Sequence, residues 1–302
     1  MQAKLLRQIT PPEDLVRIAY DGLGGAPATS AADLDVTIYT IPTSICSQRI
    51  RLTLEEKQVP YTDYSVNIRE MENLQPWYLE MNPRGVVPTL KFGERALFDS
   101  LTIMLFVDAY FEGPALRPVD PAHCETMIAW LKRMDEFPVR DLSYRWQLER
   151  VKKGQPDYWS PGMHGNVLAA LEKHPEHREL YERKLREWDD IQACVHDAAH
   201  MAQAEAMAQA LAADVETALG AGDFLVGGTF SLADISAIAT LMRLQCGCGL
   251  TLWGDGLRPK LEAYVERLKM RDSYRPGLLD PYRGSPVFSL EGDCWFPARR
   301  AA

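Results

Sequence analysis

The chain has 302 residues, 46% of them hydrophobic and 25% charged, enough apolar material for one large domain or two of ordinary size. Its formal net charge is −9 with no basic patch, which argues against binding to a nucleic-acid backbone. No run is long enough and free enough of charge to span a membrane, and residues 1–30 lack the continuous apolar stretch of a secretory signal.

Residues 1–34 read as an N-terminal extension, with a short helix across 12–23 and then the small-residue stretch Gly24-Gly25-Ala26-Pro27-Ala28-Thr29-Ser30. Val36-Thr37-Ile38-Tyr39-Thr40 is β-branched and aromatic and predicts a first strand, ended by Pro42. A helix follows over 46–57, with Ile50, Leu52 and Leu54 on its apolar side and Glu55 and Glu56 on its wet side. Then come a strand at 61–66, a short polar helix at 75–79 and a turn at Asn82-Pro83-Arg84-Gly85. A third strand at 89–92 turns through 93–95 into a fourth at 96–98, and Asp99-Ser100 opens an apolar helix over 101–111. The order β-α-β-α-β-β-α predicts an α/β domain over 35–115 with a mixed four-stranded sheet, parallel at the strand–helix–strand unit and antiparallel at the hairpin.

Beyond Pro114 the strand signals stop. Helical patterns at 125–137, 178–194, 201–219, 232–246 and 259–271 predict an all-helical domain over 121–280. Residues 152–165, with Gly154, Pro156, Pro161 and Gly162, read as a long loop of the kind that borders a site, and 281–302 as a tail.

Cys46, Cys124, Cys194, Cys246, Cys248 and Cys294 are widely spread, with no CxxC pair, so reduced thiols in a cytosolic protein are expected. Cys246-Gly-Cys248 lacks the second pair or nearby histidine of a zinc site, and His196 and His200, though at i, i+4, imply no third ligand; no metal is expected. Trp130, Tyr144, Trp146, Tyr158 and Trp159 suit either an aromatic pocket or a core.

Four motifs carry chemistry. The proline of Val86-Val87-Pro88-Thr89, at a strand entrance, suits a cis turn that exposes the main chain of Val87 to a short extended peptide, or a plain trans proline ending a loop. At Asp99-Ser100 a helix N-terminus offers unpaired N–H groups to a carboxylate, with Ser100 also suited to capping. In Ser44-Ile45-Cys46-Ser47 a thiol opens a helix, where the dipole favours thiolate; a buried, inert cysteine is the plainer alternative. Phe230-Ser231-Leu232-Ala233-Asp234-Ile235 is a capping box, with Phe230 and Ile235 placed for a hydrophobic staple.

Together these elements resemble the cytosolic glutathione transferase superfamily over residues 35 to about 275. The resemblance implies a thioredoxin-like N-terminal domain, a helical C-terminal domain and glutathione as co-substrate. It implies that the main chain of Val87 before cis-Pro88 pairs with the cysteinyl unit and that Asp99 and Ser100 hold the γ-glutamyl end. Thr43-Ser44-Ile45-Cys46-Ser47, followed by Arg49-Ile50-Arg51-Leu52, is similar to the glutathione-dependent reductive dehalogenases of chlorinated hydroquinones. So are the stretches at 175–181 and 202–205. That resemblance implies Ser44 as thiolate activator, Cys46 as exchange nucleophile, Ser47 as a second hydroxyl, and an aromatic or quinoid substrate. The superfamily resemblance also implies a homodimer, and the thiols, charge and hydropathy above predict a cytoplasmic protein without nucleic-acid or membrane partners. The alternatives are a conjugating transferase or β-aryl-ether-cleaving enzyme relying on a serine hydroxyl, a glutathione-dependent isomerase, and a non-catalytic binding protein of the same fold. Arg84, Lys91 and Arg95 suit contacts to glutathione or to a partner subunit.

Overall fold

The computed structural model describes residues 35–93, 95–155, 163–283, 288–292 and 294–297. The expected extension 1–34, with its helix at 12–23, lies outside the described residues, as do Pro156, Tyr158, Trp159, Pro161 and Gly162 of the expected loop.

The N-terminal half is the expected mixed sheet. β1 (Val36–Thr40) lies beside β2 (Thr62–Ser65), and β3 (Thr89–Phe92) lies beside β4 (Arg95–Phe98), in the order β2-β1-β3-β4. β1 pairs with β2 in parallel, Ile38 opposite Asp63, and with β3 antiparallel, Ile38 opposite Leu90. Alternate residues of β1 (Val36, Ile38 and Thr40) are buried, the period-two pattern of a strand with one face on the core. The sheet carries α1 (Ile45–Lys57), the short α2 (Pro76–Met81) and α3 (Ser100–Tyr110).

α1 does not have the wet side that its sequence suggests. Arg49 and Arg51 are 2% and 1% exposed. Arg49 donates to the Asp135 carboxylate at 2.9 Å and to the Met134 carbonyl at 3.0 Å; Arg51 donates to Thr40 Oγ1 at 2.8 Å and to the Gly277 carbonyl at 3.0 Å. Glu56 accepts from both Nε and Nη2 of Arg271 at 2.6 Å. The helix is sandwiched between the sheet and the C-terminal half, so its charges are paired across the two halves instead of being solvated. Gly277 approaches so closely that a Cβ there would stand 2.7 Å from Leu52 Cδ2.

The helical half contains α4 (Pro121–Asp135), α5 (Val139–Lys152), α6 (Met163–Lys173), α7 (Arg178–His196), α8 (Ala198–Ala218), α9 (Leu232–Met242) and α10 (Pro259–Lys269). One apolar cluster runs from Ile38 and Leu90 through Ile103 and Met104 to Met127, Ile238 and Leu261, so a continuous core crosses both halves. Three sequence expectations are corrected. α5 and α6 were not foreseen, and α6 occupies the end of the expected 152–165 loop. The expected tail contains an antiparallel pair, β5 (Phe288–Glu291) and β6 (Cys294–Pro297). Finally, Cys246 and Cys294 form a disulfide, 48 residues apart in sequence, so the expectation of six reduced thiols fails. That pairing follows from the return of β6 to the end of α9, a long-range event with no spacing signature. Among the described residues no helix is long and apolar enough to cross a membrane.

Candidate active site

A cavity of about 400 Å³ opens where the loop between β1 and α1 meets α5 and α7. Thr43, Ser44, Ile45 and Cys46 form one wall, Val86 and Val87 another, and Tyr144, Val167, Trp188 and Ile191 close it from the helical half. Tyr181 of α7 ties that half to the segment between β2 and α2 by donating to the Leu74 carbonyl at 3.0 Å.

The β1–α1 loop divides its two serines. Ser44 is the N-cap of α1, and its Oγ accepts from the Ser47 N–H at 3.2 Å. That bond uses a lone pair of the hydroxyl and leaves its proton to be donated. Ser47 is 0% exposed and its Oγ accepts from the Ile41 N–H at 3.4 Å. Of the three residues singled out here, Ser44 and Cys46 line the cavity; Ser47 holds the turn that presents them. Cys46 is half-buried, in the first turn of α1.

The opposite wall is built around a cis Val87–Pro88 peptide. The Val86 carbonyl before it accepts from Tyr78 Oη at 2.7 Å and from the Asn82 amide at 2.8 Å, and both donors are completely buried. Gly85 precedes them at φ +59°, and a Cβ there would stand 2.6 Å from Leu74 Cδ2. Fixed in this way, the loop places Val87 on the cavity wall; among the described residues nothing in the chain pairs with its main chain.

Asp99, rather than Ser100, caps α3. Its carboxylate accepts from the Thr102 N–H and Thr102 Oγ1, both at 3.0 Å, with Arg84 Nη1 3.7 Å away. Its φ of +83° is a left-handed conformation that costs a non-glycine residue about 1–3 kcal/mol and recurs at functional sites. Ser100 is the first helical residue, 5% exposed, in the turn whose N–H groups have no intrahelical acceptor. Pro88, Asp99 and Ser100 are outside the lining of the cavity, of which Val87 is part.

Trp188 and Arg243 are among the lining residues that the sequence did not single out. Trp188 packs edge-on against Tyr144 at 5.6 Å between ring centres. Arg243 lies just past the apolar α9 pattern, where nothing in its neighbours marks it. Of the expected aromatics, Tyr144 lines the cavity, whereas Trp130 packs on the core and Trp146 lies under Arg150. Burial pushes the Tyr144 phenol up to about 12, so it stays a donor at neutral pH, although Arg140 pulls the other way.

The histidine pair resolves differently from its spacing. His196 is exposed, while His200 Nε2 meets Asp141 Oδ2 at 2.9 Å, and Cys194 brings its sulfur within 4.8 Å of both. Arg140 Nε also donates to Asp141, at 3.0 Å, and a guanidinium on one ligand opposes a cation in this cluster.

The thiols differ in reactivity. Burial pushes Cys248 up to about 11, against the pull of its Ser143 hydrogen bond and Arg243, and burial also raises Cys124. Iodoacetamide at pH 8 is therefore expected to label Cys46 well before Cys248 or Cys124 in the folded protein, read by peptide mass spectrometry. Equal labelling of Cys46 and Cys248 would contradict the difference in burial.

Comparison with known proteins gives a consistent picture. Residues 43–109 match the family model of the glutathione S-transferase N-terminal domain, and residues 197–267 match that of the C-terminal domain. A tetrachloro-p-hydroquinone reductive dehalogenase of Sphingobium chlorophenolicum is 31% identical over 250 residues, which is 82% of this chain and 97% of the relative. A 2,5-dichlorohydroquinone reductive dechlorinase of Sphingobium indicum is 26% identical, over 91% of this chain and 92% of the relative. The crystal structure of the beta-etherase LigF from Sphingobium sp. superposes with a TM-score of 0.60 at 22% identity, covering 80% of this chain and 98% of that one, a likeness of fold.

Proposed function

The chain belongs to the glutathione S-transferase superfamily of enzymes, and from that premise we propose that it is a reductive dehalogenase using glutathione on a halogenated aromatic or quinoid substrate. The observation that carries this reading is that Ser44, Cys46 and Val87 face one cavity whose remaining walls are largely apolar. The names of the two hydroquinone-dehalogenating relatives support it.

In this reading the Val87 main chain pairs with the cysteinyl unit of glutathione as an added strand. The first N–H groups of α3 receive the γ-glutamyl carboxylate, and the Asp99 carboxylate its ammonium. Ser44, already oriented as the cap, donates a hydrogen bond from its O–H to the glutathione sulfur and favours the thiolate. The thiolate forms a C–S bond at the quinoid carbon, and halide leaves. Cys46, as thiolate, then attacks the glutathione sulfur; the C–S electron pair returns to the ring and takes up a proton. Aromatic C–H and a Cys46–glutathione disulfide result. A second glutathione attacks that disulfide and releases oxidised glutathione and the Cys46 thiolate. Overall, aryl halide and two glutathiones become arene, oxidised glutathione and hydrogen halide. A homodimer and a cytoplasmic location accompany the reading.

The test is a panel of halogenated hydroquinones, simple aryl halides and β-aryl ethers, scored for halide, oxidised glutathione and conjugate together. The expected result is one oxidised glutathione per halide released from hydroquinones. Conjugate without oxidised glutathione identifies instead a conjugating or ether-cleaving transferase working from the Ser44 hydroxyl alone.

A further inference from the structure

The cavity is electrostatically unlike the rest of the molecule. In a chain of net charge −9, its lining includes three obligate or near-obligate cations, Arg140, Lys184 and Arg243, against one carboxylate, Glu187. Lys184 and Glu187 pair with each other at 2.9 Å, and Arg140 is half exposed and donates to Asp141. Arg243 lies deeper than these, 5% exposed, with Tyr282, Cys248 and Cys46 among the groups that feel its charge. An arginine keeps its proton at any ordinary pH, even when burial opposes the charge. The backbone is also unusual at this point. α9 ends at Met242, and Arg243–Gly247 forms a π-helical turn. Such turns are rare, and their wider step re-aims side chains, which is why they recur at functional sites.

We propose that Arg243 is the specificity-determining residue of the aryl site, holding the phenolate oxygen of an ionised, halogen-bearing phenol or hydroquinone beside Cys46. This rests on the dehalogenase reading and deepens it. Ring halogens acidify a phenol, so such substrates are anions near neutral pH. The planar guanidinium donates two N–H bonds toward one oxygen anion, while Ile45, Met71, Leu74, Val139 and Trp188 enclose the apolar ring. The fixed charge orients the ring so that one of its carbons meets the sulfurs at Ser44 and Cys46. A neutral aryl halide of the same shape lacks this anchor.

The experiment measures competitive binding of a polychlorinated phenol and its methyl ether to the full-length, glutathione-loaded protein, from pH 5 to 8. Wild type is expected to bind the phenol about 10- to 100-fold more tightly than the ether, the range of a charge-assisted bond. The advantage should decline as pH falls through the phenol's own pKa. Arg243→Met should weaken the phenol to the level of the ether and leave the ether unchanged; Arg243→Lys should retain part of the preference. Equal losses for both ligands in Arg243→Met, or a wild type that does not discriminate at pH 8, would overturn the assignment. The wild-type comparison keeps the test decisive if Arg243→Met does not fold. Discrimination without any oxidised glutathione from halogenated hydroquinones sinks the dehalogenase reading but leaves the anion site standing. Dehalogenation without discrimination does the reverse.

Discussion

Replacing Cys46 by serine is expected to stop the formation of oxidised glutathione and to leave a glutathionyl aromatic as the product. The two halves of the proposed cycle use different residues. Attack of glutathione on the ring needs glutathione held at Val87 and α3 and a hydrogen bond from Ser44 to its thiolate, none of which Cys46→Ser removes. Removal of the glutathione sulfur from the ring needs a thiolate, and an alkoxide is not available at neutral pH to replace it. The fall in oxidised glutathione should be on the order of 10³-fold or more, with halide release over the first turnover largely kept. Intact-mass spectrometry of wild type under turnover should show the addition of one glutathione at Cys46. If Cys46→Ser makes oxidised glutathione at the wild-type rate, the covalent cycle is wrong. Ser44→Ala should act earlier, slowing halide release and oxidised glutathione together.

The residues that announced this fold did so through local chemistry. The β-branched run at Val36–Thr40, the Gly93 turn, the Asp99 helix start and the Ser231–Asp234 box are read from neighbours a few residues apart, and each forms its element where expected. What stayed hidden depends on distant partners. Glu56 of α1 reads as part of a wet side until Arg271 arrives from the other half, and the burial of Arg49 and Arg51 depends on Asp135 and Gly277 in the same way. α5 begins behind Pro138, without a capping side chain, and carries charges around most of its circumference, so periodicity misses it. The Cys246–Cys294 bridge and the exposure of Arg243 to the cavity belong to the same class. The candidate site shows the same division. Ser44, Cys46 and Val87 lie in short motifs, whereas the distinct function of Ser47 appears only when its hydroxyl is seen on the Ile41 N–H.

Asp234→Ala is expected to cause the largest loss of stability, about 3–5 kcal/mol, through a residue remote from the chemistry. Asp234 is 0% exposed, and its carboxylate accepts from the Leu225 N–H at 3.0 Å, the Ser231 N–H at 2.8 Å, Ser231 Oγ at 3.1 Å and Tyr264 Oη at 2.7 Å. The sequence presents it as half of a local capping box. The structure adds Leu225 and Tyr264, so one carboxylate joins the start of α9, the segment before it and α10. Burial pushes this carboxyl up, and the four donors offset only part of that rise. Alanine leaves four buried donors without their acceptor, and the melting temperature should fall by roughly 10 °C. Tyr264→Phe removes one donor together with its need for a partner, and should cost about 1–2 kcal/mol. In the Asp234→Ala background the same change should cost much less, because the hydroxyl it deletes is already stranded. A double-mutant cycle by chemical denaturation measures this; additivity within about 0.5 kcal/mol would show that the four bonds do not act as one network. Since α9 carries Arg243 immediately beyond its end, the weakened core should also blunt the cavity's preference for an anionic ring before the protein unfolds.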